Sequence, residues 1–348
     1  MRHADSRHLP AENAGTTSNT TRAVLQHRYG SPDVLEVTRV PTPTPGPGEV
    51  LVRIRAASIN ARDWHVMRGE PRLARLLDRA SFGLRRPRVA TRGTDLAGTV
   101  ESIGDGVTRW RAGDRVFGEG TATLADHAAV PADQLAAIPT SVGFDEAAAT
   151  PLAATTALLC LEAAAPAPGD SILVNGGSGG VGTFAIQIAK ALRLRVTAVV
   201  SSRNRALASS LGADQVIDYT TEDFTLSGRR YDVVVDLVGN RGLHELRRVV
   251  SPGGALVLSG GGVSGQGRVL GPLRLLVWGR VYGRARGLRV YTPQAAPSAV
   301  MLERIAELAR TGQVATVIDR RFRLEEVADA IRHMETHHAS GKLVVVTA

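Results

Sequence analysis

The sequence predicts an α/β protein in which an antiparallel, barrel-like β domain is joined to a doubly wound domain with a parallel sheet. Three features of the 348-residue chain support this prediction. Residues 21 to 135 consist mostly of short β-type runs, strand and helix patterns alternate from about residue 145, and a glycine cluster separates one such strand from its helix. Alternation of this kind favours a parallel sheet covered by helices on both faces.

The β-rich part follows a turn-rich connector, "PTPTPGPGE". In "EVLVRIRAASIN", residues 50, 52, 54 and 56 are apolar and two of the residues between them are arginines, which is the period of a half-buried strand. The runs "GTDLAGTVESIG" and "GDRVFG" are bounded by Gly and Asp and predict further short strands. Together these runs predict the barrel-like domain.

The alternating part begins with "DEAAATPLAATTALLCLEAA", a helix-like stretch that contains Pro151. The strand "SILV" then leads through the glycine cluster to a helix predicted from Thr183 to Leu192. Further strands and helices follow in turn as far as "ALVLSGG". From about residue 294 the pattern changes to two amphipathic helices and two strands, "VIDRRF" and "KLVVVTA".

Composition argues against several classes of protein. The single cysteine, Cys160, allows neither an intrachain disulfide nor a cysteine-rich zinc lobe. The net charge of +9 comes mainly from scattered arginines without a nucleic-acid-binding motif, so we expect no nucleic-acid partner. Residues 1–21 lack the apolar core of a secretory signal and predict a disordered N-terminal arm. With no apolar run of about 18 residues, we expect a cytoplasmic protein.

The segment 268–289 differs from its surroundings because it carries six arginines and no acid, mixed with Leu, Val, Trp278 and Tyr282. One interpretation is a helix in weak contact with a membrane surface. The other is an excursion on the substrate side, whose apolar residues line a broad substrate pocket while its arginines face water. Pro272 and several glycines argue against a single long helix.

The glycine cluster contains Gly177, Gly179 and Gly182 in the pattern G-x-G-x-x-G, after a strand and before a helix. We expect Gly177 to allow the tight turn, Gly179 to let the backbone approach a pyrophosphate, and Gly182 to let the helix pack closely on the strand. Free N–H groups at the helix start would bind the phosphates. The alternative is a tight turn without a ligand.

The end of the next strand, "RVTAVV", indicates which dinucleotide binds. An NAD site places an acid there for the ribose 2′-OH, whereas this chain has Ser201, Ser202 and Arg203. Hydroxyls and a guanidinium suit a 2′-phosphate, and Tyr219 ends the third strand nearby. The sequence therefore predicts NADPH, although these residues would also cap the following helix.

In these motifs the chain resembles the medium-chain dehydrogenase/reductase superfamily, and within it the zinc-free quinone-oxidoreductase-like branch. The resemblance runs from about residue 22 to the C-terminus and rests on "PGPGEVLVRIRAASINARDWHVMRG", "GTDLAGTVESIG", "GDRVFG", "SGGVG", "LGADQVIDY" and "SGKLVVV". It implies a GroES-like β-barrel catalytic domain formed by residues 22–150 and 294–348, a Rossmann NADP-binding domain at 151–293, and an active site between them. We also expect a homodimer.

The resemblance separates this chain from zinc-dependent members. Those members have a ligand Cys where this chain has Asn60, and a Gly-His-Glu motif where it has Gly-Thr-Asp at 93–95. The later ligand region offers neither Cys nor acid before Cys160. Because a zinc site needs at least three converging ligands, we expect no metal. His333 and His337, spaced i, i+4, fit a solvated helix end better than a metal pair.

The resemblance also implies site residues. Asn60 would touch the nicotinamide ribose or the substrate, and Lys342 would close the site. The full set expected at the cofactor is Asn60, Thr156, Gly177, Ser178, Gly179, Gly180, Val181, Gly182, Ser201, Ser202, Arg203, Tyr219, Val238, Gly239, Ser259, Gly260, Gly261 and Lys342. Many relatives have Tyr shortly after the Asn-x-x-Asp motif, where this chain has Trp64 and His65. His65 would either donate a proton or shape the pocket, so Asn60 and His65 are the catalytic candidates.

Without a metal, the chemistry predicted is hydride transfer from NADPH to a quinone or an α,β-unsaturated carbonyl. Hydride adds to the far carbon of such an apolar conjugated substrate while charge spreads to its oxygen, where hydrogen-bond donors suffice. Alternatives are a pathway-specific enoyl reductase or redox-neutral enzyme that acts on a larger biosynthetic intermediate, and a non-catalytic NADPH-sensing protein.

Overall fold

A computed structural model describes residues 20–79, 82–259, 273–336 and 339–347. Most of the expected N-terminal arm, Gly260 and Gly261, the start of the 268–289 segment, and His337 lie outside these ranges. Within them, no helix combines the length and the apolar character that crossing a bilayer requires.

The described strands are β1 (Thr20–Gln26), β2 (Leu35–Pro41), β3 (Glu49–Ile59), β4 (Asp95–Ile103), β5 (Arg115–Glu119), β6 (His127–Pro131), β7 (Leu135–Ala137), β8 (Ser171–Asn175), β9 (Arg195–Val200), β10 (Gln215–Asp218), β11 (Tyr231–Asp236), β12 (Val250–Leu258), β13 (Arg289–Tyr291), β14 (Ile318–Arg323) and β15 (Lys342–Val346). The helices are α1 (Ala61–Arg68), α2 (Ala74–Leu77), α3 (Phe144–Ala148), α4 (Pro151–Ala164), α5 (Gly180–Ala191), α6 (Arg205–Ser210), α7 (Leu243–Arg248), α8 (Leu273–Arg286), α9 (Ala299–Arg310) and α10 (Val327–Glu335).

One sheet joins the two ends of the chain. Its strand order is β14-β15-β3-β4-β5-β7, and β6 also pairs with β3. The long strand β3 buries Val50, Val52 and Ile54 and exposes Arg53 and Arg55, as the period of two predicts. Because β15 pairs antiparallel with β3, Lys342 comes to lie beside the end of β3, where Asn60 begins α1.

The other large sheet is wholly parallel, with the order β10-β9-β8-β11-β12-β13. The order reverses between β8 and β11, and the carboxyl ends of strands at such a switch point form the ligand-binding crevice of doubly wound folds. The predicted fold class, a GroES-like barrel domain with a Rossmann domain, is confirmed. The domain boundaries at 150/151 and 293/294 stay predictions.

Two helices differ from the prediction. The stretch around Pro151 is two helices, α3 and α4, and Pro151 is the first residue of α4, where its missing N–H costs no hydrogen bond. α5 begins at Gly180, three residues before the predicted start.

The glycines of the 268–289 segment do not prevent a long helix. α8 has 14 residues. A Cβ at Gly279 would lie 2.6 Å from Leu258 Cδ1, and one at Gly283 would lie 2.5 Å from Val290 Cγ2. The glycines therefore let α8 pack closely against β12 and β13, as a crossover helix does. Trp278, on the same helix, is 60% exposed.

Candidate active site

The turn between β8 and α5 has the geometry of a diphosphate-binding loop. The residue that needs the left-handed backbone conformation is Gly176 (φ +91°), so the role expected of Gly177 belongs to its neighbour. A Cβ at Gly177 would instead lie 3.0 Å from Ala198 Cβ, against the sheet. A Cβ at Gly182 would lie 2.1 Å from the Gly176 carbonyl oxygen, which explains the close packing of helix on turn.

Gly179 lies on the accessible side of this turn. A Cβ there would meet only the Gly176 carbonyl oxygen, at 3.5 Å, and no side chain caps α5. The N–H groups of Gly180, Val181 and Gly182 are in the first turn of the helix, where they have no intrahelical acceptor. These residues fit the pyrophosphate of a dinucleotide, which would accept from those N–H groups at the positive end of the helix dipole.

The ends of β9 and β10 form the region expected to meet the 2′-position of the cofactor. Ser202 and Arg203 are exposed there, and Tyr219 is 53% exposed. The sequence argument missed Asp218, whose carboxylate accepts from Ser202 Oγ at 2.5 Å and from Thr220 Oγ1 at 2.7 Å. The hydrogen bond from Ser202 is the largest cause that lowers the pKa of Asp218, so the group is ionised.

Asp218 has a signal in the sequence, since it precedes Tyr219 at the end of a strand parallel to β9. Parallel strands end at the same edge of a sheet. An acid on the third strand therefore reaches the same region as the serines that follow the second.

A second turn, after β11, is held by a buried carboxylate. Asp236 Oδ1 accepts from the N–H groups of Val238 and Gly239 at 3.1 and 3.0 Å, and from Asn175 Nδ2 at 2.8 Å. Ser259, at the end of β12, donates its N–H to the Asp236 carbonyl oxygen at 3.0 Å. Val238, Gly239 and Ser259 are thus brought to the same strand edge as the glycine turn.

Lys342 connects the barrel to the glycine turn. Its side chain is buried, and its Nζ donates to Asn60 Oδ1 and lies 3.6 Å from Asp95 Oδ2. A Cβ at Gly180 would lie 2.8 Å from Lys342 Cδ, and the N–H of the residue before Lys342 donates to the Ser178 carbonyl oxygen at 2.9 Å. The structure therefore brings Asn60, Ser178, Gly180 and Lys342 together.

Asp95 is the anion that balances Lys342. It accepts from Ser58 Oγ at 2.8 Å, from Asn60 Nδ2 at 2.9 Å and from the N–H of Leu152 at 3.3 Å. Burial lowers the pKa of Lys342, while the charge of Asp95 raises it. The pair thus holds Asn60 in one orientation from both ends of its amide.

Thr156 lies on α4, four residues beyond Leu152. Its hydroxyl donates to the Leu152 carbonyl oxygen at 2.7 Å, within the helix.

A cavity of about 280 Å³, which we call the α1 cavity, is lined by Asp63, the residue that accepts from the N–H of Asn60. Its walls come from one side of α1, the residues that precede β4, the end of β5 and the adjoining loops. They include Arg62, Asp63, Arg92, Thr94, Glu119 and Gln134. Asp63 accepts from the N–H of Asn60 at 2.8 Å and from Thr94 Oγ1 at 3.2 Å. Burial raises the pKa of Asp63 to about 6.

His65 is placed differently from Asn60. Its Nδ1 lies 2.8 Å from the Glu70 carbonyl oxygen, its ring packs edge-on against Trp64, and it is not one of the residues that line the α1 cavity. Its role as a proton donor stays a prediction, as do the other assigned roles.

Sequence reasoning missed three buried ionisable residues at the α1 cavity: Asp63, Arg92 and Glu119. Asp63 had a signal, because Asn60-x-x-Asp63 has the spacing of a capping box. For Glu119 the sequence offers only one signal, that a carboxylate stands at the end of a predicted strand. Within the described residues, no group of three or more His, Cys, Asp or Glu is arranged to hold a metal ion.

Two family models match the chain, "Alcohol dehydrogenase GroES-like domain" over residues 46–142 and "Zinc-binding dehydrogenase" over residues 211–345. The chain is 34% identical over 332 residues to the 2-methylene-furan-3-one reductase of Solanum lycopersicum, covering 91% of this chain and 76% of that protein. It is 31% identical over 339 residues to the chloroplastic NADPH-dependent alkenal/one oxidoreductase of Arabidopsis thaliana, covering 93% and 79%. The solved quinone oxidoreductase of Coxiella burnetii superposes with a TM-score of 0.82 at 27% identity, covering 95% of this chain and 100% of that one.

A parallel sheet with a glycine turn at its switch point, joined to a GroES-like barrel, defines an oxidoreductase that uses a nicotinamide cofactor. The chain belongs to the medium-chain dehydrogenase/reductase superfamily, in its quinone-oxidoreductase-like branch, and the predicted family is thereby confirmed.

Proposed function

We propose that this protein is a zinc-independent, NADPH-dependent reductase of quinones or α,β-unsaturated carbonyls. The observation that carries the proposal is the meeting of the glycine turn with Asn60 and Lys342 beside a cavity whose polar walls are carboxylates, guanidinium groups and hydroxyls. Relatives named as a methylene-furanone reductase and an alkenal/one oxidoreductase support a conjugated carbonyl as the substrate.

The geometry supports a separate role for each part of the site. The bound cofactor supplies a hydride, and the first turn of α5 holds its pyrophosphate. Asn60 and Lys342 orient the reacting ends of cofactor and substrate. The amide of Asn60 is fixed by Lys342 and Asp95, so it loses little conformational entropy when a ligand binds.

Zinc independence is supported by the side chains at the positions that match zinc ligands in zinc-dependent members. Asn60 Oδ1 accepts from the ammonium of Lys342, and Thr94 Oγ1 donates to Asp63. A cation placed between these side chains would lie near the positive charge of Lys342. A conjugated substrate tolerates the lack of a Lewis acid, because its negative charge is delocalised as hydride adds.

The test is NADPH oxidation by the purified protein with a panel of quinones, enones, enals and saturated ketones, with NADH in parallel. We expect turnover with conjugated acceptors and none with saturated ketones. Turnover of saturated ketones alone would contradict the proposal. Turnover of only one bulky enoyl compound would favour the pathway-specific alternative.

A further inference from the structure

Glu119 is a buried carboxylic acid that the features described so far leave without a role. It ends β5, is 1% exposed, and lines the α1 cavity. Neither of its side-chain oxygens has a hydrogen-bond partner within the described part of the chain. A buried polar group without partners is costly to a fold, so an acid aimed into a cavity is expected to act on what binds there.

Its cross-strand neighbour explains where the proton resides. Asp95 and Glu119 are paired residues of the antiparallel strands β4 and β5, so their side chains lie on the same face of the sheet. Asp95 accepts three hydrogen bonds and faces Lys342, whereas Glu119 accepts none in the described structure. Two adjacent carboxyl groups do not both ionise readily, and the negative charge is favoured on Asp95, which accepts hydrogen bonds and faces the Lys342 ammonium.

The surrounding charges also favour a proton on Glu119 and a negative charge on Asp95. Burial, followed by the charge of Asp95, raises the pKa of Glu119 to about 8, against the opposing effects of Arg62 on α1 and Lys342 on β15. Asp63 and Arg92 also line the cavity. At neutral pH the cavity therefore contains one neutral carboxyl group that can donate a hydrogen bond or a proton.

We propose that Glu119 is the catalytic proton donor of the reductase, delivering its carboxyl proton to the substrate as hydride is transferred. The inference rests on the proposed function and adds a residue to it. Of the other acids and bases here, Asp63 already accepts from Asn60 and Thr94, and His65 does not line the cavity.

The step balances without a further reactant. An enone accepts hydride at its β-carbon, its C=C electrons shift towards the carbonyl, and the O–H bond of Glu119 breaks as its proton bonds to the α-carbon or the enolate oxygen. In a quinone the same proton goes to the oxygen that becomes a phenol. Water then returns a proton to the Glu119 carboxylate, through the side of the cavity where Arg62 and Thr121 are exposed.

The experiment compares Glu119→Gln, Glu119→Asp and the control Glu101→Gln, an exposed site on β4. Because Glu119 is neutral at pH 7, Gln preserves its shape and charge, so we expect a folded variant with an unchanged NADPH Kd and a melting temperature no lower than that of the wild type. We expect kcat to fall by about 100-fold or more, the usual contribution of a general acid. Glu119→Asp should restore part of kcat, and Glu101→Gln should match the wild type.

The pH profile distinguishes proton donation from a structural role. With the proton lost as pH rises through about 8, wild-type kcat should decline above that pH, and the residual activity of Glu119→Gln should lack this decline. Infrared difference spectra should be taken across the pKa of Glu119, at about 8, and above that of Asp63, at about 6. They should show a protonated-carboxyl C=O band in the wild type and not in the Gln variant, whether or not substrate is present.

Glu119→Gln with near wild-type kcat and an unchanged alkaline decline would overturn the inference and leave the proposed function standing. Absence of turnover by the wild type across the whole substrate panel would instead overturn the proposed function and this inference with it. Absence of the carboxyl band in the wild type would overturn the inference alone.

Discussion

Asp95 and Glu119 face each other across β4 and β5, yet the hydrogen bonds described at this pair all go to Asp95. Both side chains end in a carboxyl group, but their surroundings differ. Ser58, Asn60 and Lys342 converge on Asp95 from β3, the start of α1 and β15. The barrel thus holds an anion and a neutral acid side by side, which has consequences for stability that can be measured.

Glu119→Gln should stabilise the fold at neutral and alkaline pH. The pKa of Glu119 rises from 4.5 to about 8 on folding, so between these values the native state binds a proton that the unfolded state has lost. Stability contributed by this group therefore falls as pH rises through that window, by at most about 1.4 kcal/mol per pH unit, and is level above it. The Gln variant lacks this loss.

Urea unfolding of both proteins at several pH values between 4.5 and 8.5 tests this prediction. The stability difference should be small at the acid end and grow in favour of Glu119→Gln towards pH 8. Asp63, whose pKa is raised to about 6, titrates in both proteins and cancels in the difference. A difference independent of pH would show that Glu119 is ionised in the native state.

The Lys342–Asp95 pair should behave as a buried unit. Lys342→Met leaves Asp95 charged and 0% exposed, so we expect a loss of about 3 kcal/mol or more in the free energy of unfolding. Adding Asp95→Asn removes that charge and should recover much of the loss. The exposed pair Lys190–Asp214 is the control, and Lys190→Met should cost less than about 1 kcal/mol.

A double-mutant cycle from chemical denaturation measures the coupling of the two residues. Additive effects of Lys342→Met and Asp95→Asn would mean that the ammonium and the carboxylate do not interact. Lys342→Met should also weaken NADPH binding, because it removes the ammonium that holds Asn60 in place beside the glycine turn.

Alanine substitution at two glycines of the turn should weaken NADPH binding for different reasons. Gly182→Ala places a Cβ 2.1 Å from the Gly176 carbonyl oxygen, so it should lower the melting temperature as well as cofactor affinity. Gly179→Ala meets no protein atom closer than 3.5 Å and should leave the melting temperature unchanged while raising the Kd for NADPH by about tenfold or more. Calorimetry and fluorescence titration separate the two, and unchanged affinity in Gly179→Ala would place the pyrophosphate elsewhere.

Patterns within a single segment of the sequence predicted those parts of the fold that are determined by that segment alone. The period of two identified β3, and the strand–glycine–helix order located the phosphate turn and its family. Pairing between distant strands carries no such local signature. Hence the pairing of Glu119 with Asp95 emerges only from the register of β4 with β5. Asp218 ends a predicted strand, but its contact with Ser202 depends on the register of β10 with β9. That Gly176, and not Gly177, adopts the left-handed conformation likewise depends on backbone dihedral angles.

Cofactor preference should depend on two opposite charges at the ends of β9 and β10, the guanidinium of Arg203 and the carboxylate of Asp218. We expect the wild type to bind NADPH more tightly than NADH, and Arg203→Glu to weaken NADPH about tenfold or more with little effect on NADH. Arg320→Glu, at an exposed position on β14, is the matched control. Asp218 is an ionised acid that accepts from Ser202, so Asp218→Asn should tighten NADPH binding. Equal affinities of the wild type for both cofactors would contradict this assignment.

Activity should survive the removal of metal ions. Two of the positions where zinc-dependent members have ligands are occupied by an amide that accepts from Lys342 and a hydroxyl that donates to Asp63. A divalent cation would have to displace the ammonium and gain, in the described structure, no set of three His, Cys, Asp or Glu ligands. Prolonged dialysis against a chelator should therefore leave kcat and the melting temperature unchanged, with no stoichiometric zinc by elemental analysis. A loss of turnover that added zinc restores would overturn the zinc-independent assignment.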